Sequence, residues 1–469
     1  MKYIKYLITI ISLLLSSYLI IELKNINILP NKYLIIISII LLLLNTIGII
    51  TLLLKNKWIK IITTIIYIIL LLINITGLYY INNTKNFFKN GFNNNNLEIK
   101  KYNVLVLKTS KYQKIEELTN IGYLNNVIES KAYLNQIDIK EKQEYKTIYT
   151  LYEDLINKRI QSIILDESYI DLLETDYKDI LENTRIIYSF DITKEINNKE
   201  QTKELKPINI YISGSDSRSG LIESSSRTDV NMIMTINPKE RKILLTSIPR
   251  DYYVKLHGTS GYKDKLTHSG IYGIEMSKHT LEDLLNIKID YTIKVGFQSV
   301  IDIVDLIDGI DIISDSTFTT HCKDGGAEQT NIKEGLNHLT GPQALSYARE
   351  RYAYIEGDNH RIQNQQQVLE AIITSSFKNK NIIIKYKEFL ESFKNLYRTD
   401  IPDTLIKEYI KNQLSNNKPW TIEKQVVTGT GASNITYSMP GRYLYVMIPN
   451  NKSVEKATNN INNLIKNTN

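Results

Sequence analysis

The chain has few of the residues that form covalent cross-links or bind transition metals. Its 469 residues include one cysteine, Cys322, so no disulfide can form within the chain and the fold must rest on its packed core. The six histidines show no His-x-x-x-His spacing, which argues against a zinc site. A lone cysteine without a neighbouring base motif is more typical of a structural residue than of a nucleophile.

Arginine is also scarce. It occurs 11 times, which leaves 57 − 11 = 46 lysines. Six of the arginines are Arg218, Arg227, Arg250, Arg349, Arg351 and Arg361. Chance clustering is one explanation, but a guanidinium offers a planar, bidentate fork that lysine lacks. We interpret these positions as anion contacts, and the net charge of +7 suits an anionic substrate or surface.

Charge is nearly absent from three runs at the N-terminus. Residues 6–21 and 33–54 carry none, and residues 58–81 carry only Lys60. About 20 apolar residues suffice for a helix to cross a membrane, so we predict three transmembrane helices within residues 1–82. A cleaved signal peptide is the alternative for the first run, but no small-residue cleavage site follows it. The lysines of the short loops place the N-terminus in the cytoplasm and everything after Ile81 outside the cell.

The remaining chain divides by composition into four parts. Residues 83–99 are mostly polar and are expected to form a linker. Alternating strand and helix patterns predict a small accessory α/β domain at 100–196 and a larger α/β domain at 207–450. Within the larger domain, 314–330 is expected to be a surface insert. Residues 451–469 are expected to form a polar tail with weak amphipathic spacing.

Two acidic motifs stand at predicted strand ends in the larger domain. Asp216 follows a strand directly, and Asp229 enters the next one beside Arg227. If the two strands are neighbours, both carboxylates could converge beside arginines and form a magnesium and phosphate site. The structural alternatives are an ordinary turn at 214–218 and an aspartate–arginine ion pair that caps a strand.

Four further motifs are polar. Pro249 ends a strand and presents Arg250. The cluster around Asp264 and His268 is more typical of a solvated loop. The remaining two lie near helix ends: Arg349 and Arg351 at the end of one helix, where both could turn to one ligand, and Arg361 with Gln365, four residues apart on one helical face. Each motif alone is also compatible with surface polar residues.

Taken together, the order and spacing of these motifs over residues 208–373 resemble the LytR-CpsA-Psr family. The three spans and the segment at 100–196 are similar to its CpsA-type branch. The resemblance implies an α/β/α domain with a mixed central sheet and an apolar lipid tunnel. It also implies a phosphotransferase of Gram-positive bacteria that moves a capsule, teichoic-acid-like or other wall glycan from undecaprenyl pyrophosphate to peptidoglycan. The implied partners are the lipid-linked glycan, peptidoglycan and the membrane, with no nucleic acid.

The resemblance also assigns residues. Asp216 and Asp229 would hold Mg²⁺, and either could be the general base. The catalytic set would be Asp216, Asp229, Arg227, Arg250, Arg349 and Arg351. Pyrophosphate would be bound by Arg227, Arg250, Lys265, Arg349, Arg351, Arg361 and Gln365. The chain departs from the family at Asn364, where an arginine is usual, and at Asp308, where a glycine is usual. A lipid pyrophosphatase and a non-enzymatic sensor of polyprenyl phosphates are the alternative functions.

Overall fold

The computed structural model describes most of the chain. It covers residues 2–91, 97–125, 131–176, 178–195, 204–215, 226–322, 325–355, 357–378, 390, 397–416 and 418–466. The helices are α1 (Lys2–Ile26), α2 (Asn31–Leu53), α3 (Lys57–Gly91), α4 (Ile148–Ile156), α5 (Glu167–Asp176), α6 (Lys178–Asn183), α7 (Leu266–Ser269), α8 (Ile274–Leu285), α9 (Phe297–Leu306), α10 (Gly341–Arg349), α11 (Asp358–Lys378), α12 (Asp403–Ser415) and α13 (Asn451–Lys466).

The strands follow the same order along the chain. They are β1 (Leu97–Leu107), β2 (Asn120–Leu124), β3 (Glu141–Tyr145), β4 (Ile163–Asp166), β5 (Thr184–Glu195), β6 (Ile208–Ser215), β7 (Thr228–Asn237), β8 (Lys242–Ile248), β9 (Tyr253–Val254), β10 (Asp264–Lys265), β11 (Tyr291–Gly296), β12 (Ile310–Ser314), β13 (Phe318–Thr319), β14 (Asn331–Ile332), β15 (Gly335–Leu339), β16 (Tyr397–Thr399), β17 (Thr421–Val426), β18 (Gly429–Ile435) and β19 (Tyr443–Pro449).

The N-terminal helices α1, α2 and α3 are each long and apolar enough to cross a membrane. Polar side chains join them, because the Ser16 hydroxyl of α1 accepts hydrogen bonds from Asn45 of α2 (3.2 Å) and Asn74 of α3 (2.9 Å). Such bonds between helices substitute for the hydrophobic effect, which is absent in lipid. The third helix continues to Gly91 and β1 begins at Leu97, so the predicted linker at 83–99 is wrong over its first nine and its last three residues.

The accessory segment forms a five-stranded mixed sheet in the order β3-β2-β4-β1-β5. Helix α4 packs on it through Leu151 and Leu155, which are completely buried. The same apolar cluster includes Ile271, Met439 and Leu444 of the larger domain. The accessory domain therefore shares a core with its neighbour.

The larger domain is built on a six-stranded mixed sheet in the order β16-β11-β6-β7-β8-β17. Strand β6 runs parallel to β11 and antiparallel to β7, and β8 is antiparallel to β7 and parallel to β17. Side chains alternate along each strand. On β6, Tyr211 therefore faces the layer of α8 and α13, while Ile210 and Ile212 face the layer of α11 and α12. The α/β/α prediction is confirmed.

The C-terminal segment corrects the sequence analysis. Residues 451–466 were expected to form a polar tail, but they form α13. Its buried residues Val454, Ala457, Ile461 and Leu464 pack into the main core. Their spacing of three to four residues places them on one face of the helix. Most of the predicted tail is therefore part of the domain.

Helix α12 connects the larger domain to the N-terminal helices. Lys32 donates a hydrogen bond to the Ser415 carbonyl oxygen (2.9 Å). In the turn between α1 and α2, Asn27 donates one to Glu408 (3.1 Å). Phe87 and Phe88 at the end of α3 pack against Ile406. One face of α12 thus contacts the N-terminal helices, and its other face packs toward the sheet through Leu405.

Candidate active site

The candidate site lies at one edge of the central sheet. Strands β6, β8 and β11 end at this edge and the antiparallel β7 begins there, as their pairing requires. Loops after strand ends are where α/β folds place their ligand sites. The two strands expected to carry Asp216 and Asp229 are therefore neighbours. Asp216 itself lies outside the described residues.

A β-bulge positions Asp229. Gly214 pairs with Val230 and Ser215 pairs with Thr228, so Asp229 is the extra residue of β7. Bulges commonly redirect a side chain beside an active site. The absence of a side chain at Gly270 lets its backbone lie close to that of Ser226, because a Cβ atom at position 270 would lie 2.3 Å from the Ser226 carbonyl oxygen.

Five of the arginines identified by their scarcity line one cavity of about 400 Å³. They come from four segments at this edge of the sheet, namely the start of β7, the end of β8, the end of α10 and the first turn of α11. The lining includes Arg227, Asp229, Arg250, Phe297, His321, Cys322, Arg349, Glu350, Arg351, Tyr352, Arg361 and Gln365. Five guanidinium groups face two carboxylates in this set, so the cavity is suited to an anion with several charges.

Asp229 remains ionised in this setting. Burial alone would raise its pKa, but the charges of Arg250, Arg227 and Arg361 lower the pKa below its ordinary value. The Arg250 guanidinium donates to the Asp229 carboxylate at 2.8 Å, and the Thr267 hydroxyl contacts the same oxygen at 3.4 Å. The ion pair that was the structural alternative for this motif is thus present within the site.

Arg361 is held by one end of its guanidinium. Its Nη2 contacts Asp358 at 2.8 Å, while its Nε–H is buried and has no hydrogen-bond partner among the described residues. Burial and the charge of Arg250 lower the pKa of Arg361. The Nε–H of Arg250 also has no hydrogen-bond partner there, although a carboxylate oxygen of Asp251 lies 3.7 Å from this nitrogen. Because an unsatisfied buried donor is costly, these two groups are suited to a ligand that accepts hydrogen bonds.

The end of α10 brings two arginines to the same cavity. The helix stops at Arg349, and Glu350 follows in an extended conformation. Arg349 stacks over the Phe297 ring at 4.2 Å, and Arg351 stacks over Tyr352 at 4.7 Å. Both arginines line the cavity, and their binding of one ligand stays a prediction.

Lys265, which was expected to bind pyrophosphate, does not line this cavity. Its ammonium contacts Asp251 at 3.1 Å, and Asp251 also lies 3.7 Å from the Arg250 guanidinium. The expected solvated loop around Asp264 is wrong, since Asp264 and His268 are buried and hydrogen-bonded to each other at 2.7 Å.

The two departures from the family pattern have local explanations. Asn364 is buried beside the arginine cavity but does not line it, and its amide donates to the Tyr347 carbonyl oxygen (3.1 Å) and the Tyr354 hydroxyl (3.3 Å). Asp308 adopts φ 67° and Gly309 adopts φ 92°. Left-handed conformations at both positions explain why glycine is usual at the first.

The expected surface insert at 314–330 is partly wrong. Thr320 and Thr330 are buried, and His321 and Cys322 line the cavity. His321 and Glu350 also line the cavity, although neither was expected as a site residue from the sequence. Glu350 could have been noticed, because it stands between two of the rare arginines, whereas no sequence pattern marks His321.

The described residues contain no group of three or more histidine, cysteine, aspartate or glutamate side chains that could hold a metal by themselves. One oxygen of Asp229 accepts the bonds described above, and the other has no hydrogen-bond partner among the described residues. Mg²⁺ is often bound by one or two carboxylates together with substrate phosphates. The ionised Asp229 fits that role, and Ser215, the residue before Asp216, pairs with Thr228 beside it.

Comparison with known proteins identifies relatives of the larger domain. The LytR_cpsA_psr family model matches residues 177–463. The polyisoprenyl-teichoic acid–peptidoglycan teichoic acid transferase TagU of Bacillus anthracis is 33% identical over 216 residues, which cover 45% of this chain and 67% of TagU. TagU of Bacillus mycoides is 33% identical over 224 residues, or 47% and 69% of the two chains.

Solved structures are similar to part of the chain. The Streptococcus agalactiae protein gbs0355 shares 27% identity and covers 55% of this chain and 88% of its own, with a TM-score of 0.47. Bacillus subtilis TagV shares 26% identity and covers 57% and 100%, with a TM-score of 0.46.

Proposed function

The chain belongs to the LytR-CpsA-Psr family, and on that premise we propose that it transfers a glycan polymer from a polyisoprenyl-pyrophosphate carrier to peptidoglycan. The soluble domains lie on the outer side of the membrane, where peptidoglycan is found. The curated relatives are named for teichoic acid transfer, so a teichoic-acid-like or capsular wall polymer is the proposed cargo.

One observation carries this proposal: five arginines converge on one cavity beside the ionised Asp229. A pyrophosphate presents several charged oxygens, and guanidinium forks match their geometry. Phosphoryl transfer depends mainly on positioning and on neutralising charge, because the bonds that change belong to the substrate. A cavity whose lining carries five positive and two negative groups meets both requirements.

In the proposed reaction, a hydroxyl of peptidoglycan attacks the phosphorus next to the glycan. The bond from this phosphorus to the bridging oxygen breaks, and the lipid phosphate leaves with the electron pair. The arginines hold the phosphate oxygens before and during the transfer. Asp229 and Asp216 would hold Mg²⁺, which would supply further neutralisation of the phosphate charge when bound.

The apolar layer on the α11 side of the sheet is the proposed place for the lipid chain. Ile212 and Met232 of the sheet face Leu369 of α11 and Leu405 of α12 across this layer. The opposite face of α12 contacts the ends of the membrane helices through Asn27 and Lys32. This arrangement supports a path from the bilayer into the layer and on to the arginines.

The test uses the full chain in lipid nanodiscs with Mg²⁺, a lipid-pyrophosphate-linked oligosaccharide and peptidoglycan. We expect a phosphodiester bond between the oligosaccharide and peptidoglycan, detected by mass spectrometry after digestion of the wall. Release of oligosaccharide phosphate without attachment would indicate a pyrophosphatase instead. Tight binding of the lipid with neither product would refute the proposed transfer and favour a sensor.

A further inference from the structure

His321 and Glu350 form a pair at the arginine cavity that the proposed reaction has not yet used. The His321 Nδ1 lies 3.2 Å from Glu350 Oε1, and the backbone N–H of His321 donates to Oε2 at 2.5 Å. The imidazole is 55% exposed, whereas the Glu350 side chain is completely buried. The buried carboxylate therefore fixes one edge of a ring whose other edge is accessible.

The charge of Glu350 determines how this pair is protonated. Burial alone would raise its pKa, but hydrogen bonds from the backbone and from His321 lower the pKa below its ordinary value. Its Oε1 accepts the backbone N–H groups of Arg351 (2.9 Å), Tyr352 (2.6 Å) and Ala353 (2.9 Å). An ionised carboxylate can only accept, so the His321 Nδ1 must carry the proton and donate it.

This tautomer leaves the lone pair on Nε2. In many enzymes a carboxylate holds a histidine in this way, so that the second nitrogen can accept a proton from a nucleophile. Around His321 lie the five arginines and Asp229 of the cavity, together with Cys322 and Tyr352. The Tyr352 ring contacts the imidazole edge to face, with centroids 5.7 Å apart, which further restricts its orientation.

The other histidines that pair with carboxylates do not share these features. His257 and His338 contact Asp283 and Asp311, whose side chains are 58% and 62% exposed. His268 is itself buried with Asp264. Among these pairs, only that of His321 combines an accessible imidazole with a fully buried partner.

We propose that His321 is the general base of the transfer and that Glu350 is its positioning residue. This inference rests on the proposed function. The Nε2 of His321 removes the proton of the attacking peptidoglycan hydroxyl as the new oxygen–phosphorus bond forms. The bond to the bridging oxygen breaks, the electron pair leaves with the lipid phosphate, and the imidazolium then releases its proton to water. This assigns to His321 the role that the sequence analysis had left between Asp216 and Asp229.

The test compares His321→Gln, His321→Ala and the control His257→Gln in the nanodisc transfer assay. Loss of a general base lowers kcat by about 10²–10⁴-fold, while the affinity for lipid pyrophosphate should stay the same. The acidic limb of the pH–rate profile should disappear in His321→Gln. Added imidazole should restore part of the activity of His321→Ala, and His257→Gln should behave as the unmodified chain.

The outcomes separate this inference from the proposed function. If the unmodified chain transfers glycan and His321→Gln does so equally fast with the same pH profile, the base assignment is wrong and the proposed function stands. If His321→Gln also loses lipid binding and imidazole restores nothing to His321→Ala, the residue has a structural role and the assignment is wrong. If the unmodified chain attaches no glycan, both proposals fail.

Discussion

Replacing Arg361 by lysine tests whether the rare arginines of the cavity are needed for their geometry. The substitution keeps the positive charge but removes the planar fork. In the structure, Nη2 of Arg361 contacts Asp358 at 2.8 Å, and its buried Nε–H has no hydrogen-bond partner among the described residues. A lysine ammonium can donate a hydrogen bond either toward Asp358 or from the position of the Nε–H, but it cannot do both.

The expected loss follows from the missing contact with the substrate. A hydrogen bond from a charged group contributes about 1.5–3 kcal/mol, and each 1.36 kcal/mol changes a rate about tenfold. We therefore expect kcat/KM to fall by about 10- to 100-fold in Arg361→Lys. The same range is expected for Arg250→Lys, whose Nε–H also lacks a hydrogen-bond partner in the described part of the chain.

The control for this experiment is Arg159→Lys. Arg159 is 64% exposed in the accessory domain and pairs with Asp154 at 2.8 Å, a contact that contributes about 0–1 kcal/mol at most. Arg241, which stands in the turn between β7 and β8, is unsuitable as a control. It is buried, stacks over Trp420 at 4.7 Å and donates to Gln413.

The assay measures kcat/KM for glycan transfer and the Tm of each variant. A fall at Arg361 and Arg250 with unchanged Tm, and no change at Arg159, supports pyrophosphate binding by the two arginines. Equal activity of all three lysine variants would mean that the forks do not contact the substrate, and the assignment of both arginines would have to be withdrawn.

Three further predictions concern the metal, the topology and the C-terminal helix. Asp229→Asn should abolish Mg²⁺ stimulation of transfer at nearly unchanged Tm; stimulation equal to that of the unmodified chain would exclude Asp229 as a ligand. Lys89→Cys in a Cys322→Ser background should react with an impermeant thiol reagent on intact cells, and labelling only after lysis would reverse the proposed orientation. Ile461→Ala should destabilise the domain by about 2–5 kcal/mol because Ile461 is fully buried in the core. The control Asn459→Ala changes an exposed residue of the same helix and should leave Tm unchanged. Equal Tm values for the two variants would show that α13 is not part of the folded core.

The sequence was sufficient for features that depend on neighbouring residues alone. Three runs nearly free of charge specify three long apolar helices, because a membrane requires a minimum apolar length. The short apolar run at Lys242–Ile248 is typical of a buried strand and forms β8. Pro342 lies in the first turn of α10, a position that proline favours at the start of a helix. The scarcity of arginine marked five residues that the structure brings to one cavity.

The tertiary structure decided features that depend on residues far apart in the chain. A position in a turn such as that of Arg241 favours exposure, yet residues 413–420 cover this side chain. Asp264 was expected in a solvated loop, yet Ser438 donates to it from 174 residues away. Burial is a property of the assembled chain, so composition near a residue does not determine it.

In the candidate site, too, some features follow from the sequence and others only from the tertiary structure. The sequence by itself determined which residues could bind a pyrophosphate, because charge and side-chain geometry are local properties. Only the tertiary structure placed Asp229 on a bulge beside the end of β6 and brought His321 to Glu350 across 29 residues. Strand register and the path of an insert follow from the packing of the whole domain, and neither leaves a periodic signal in the sequence.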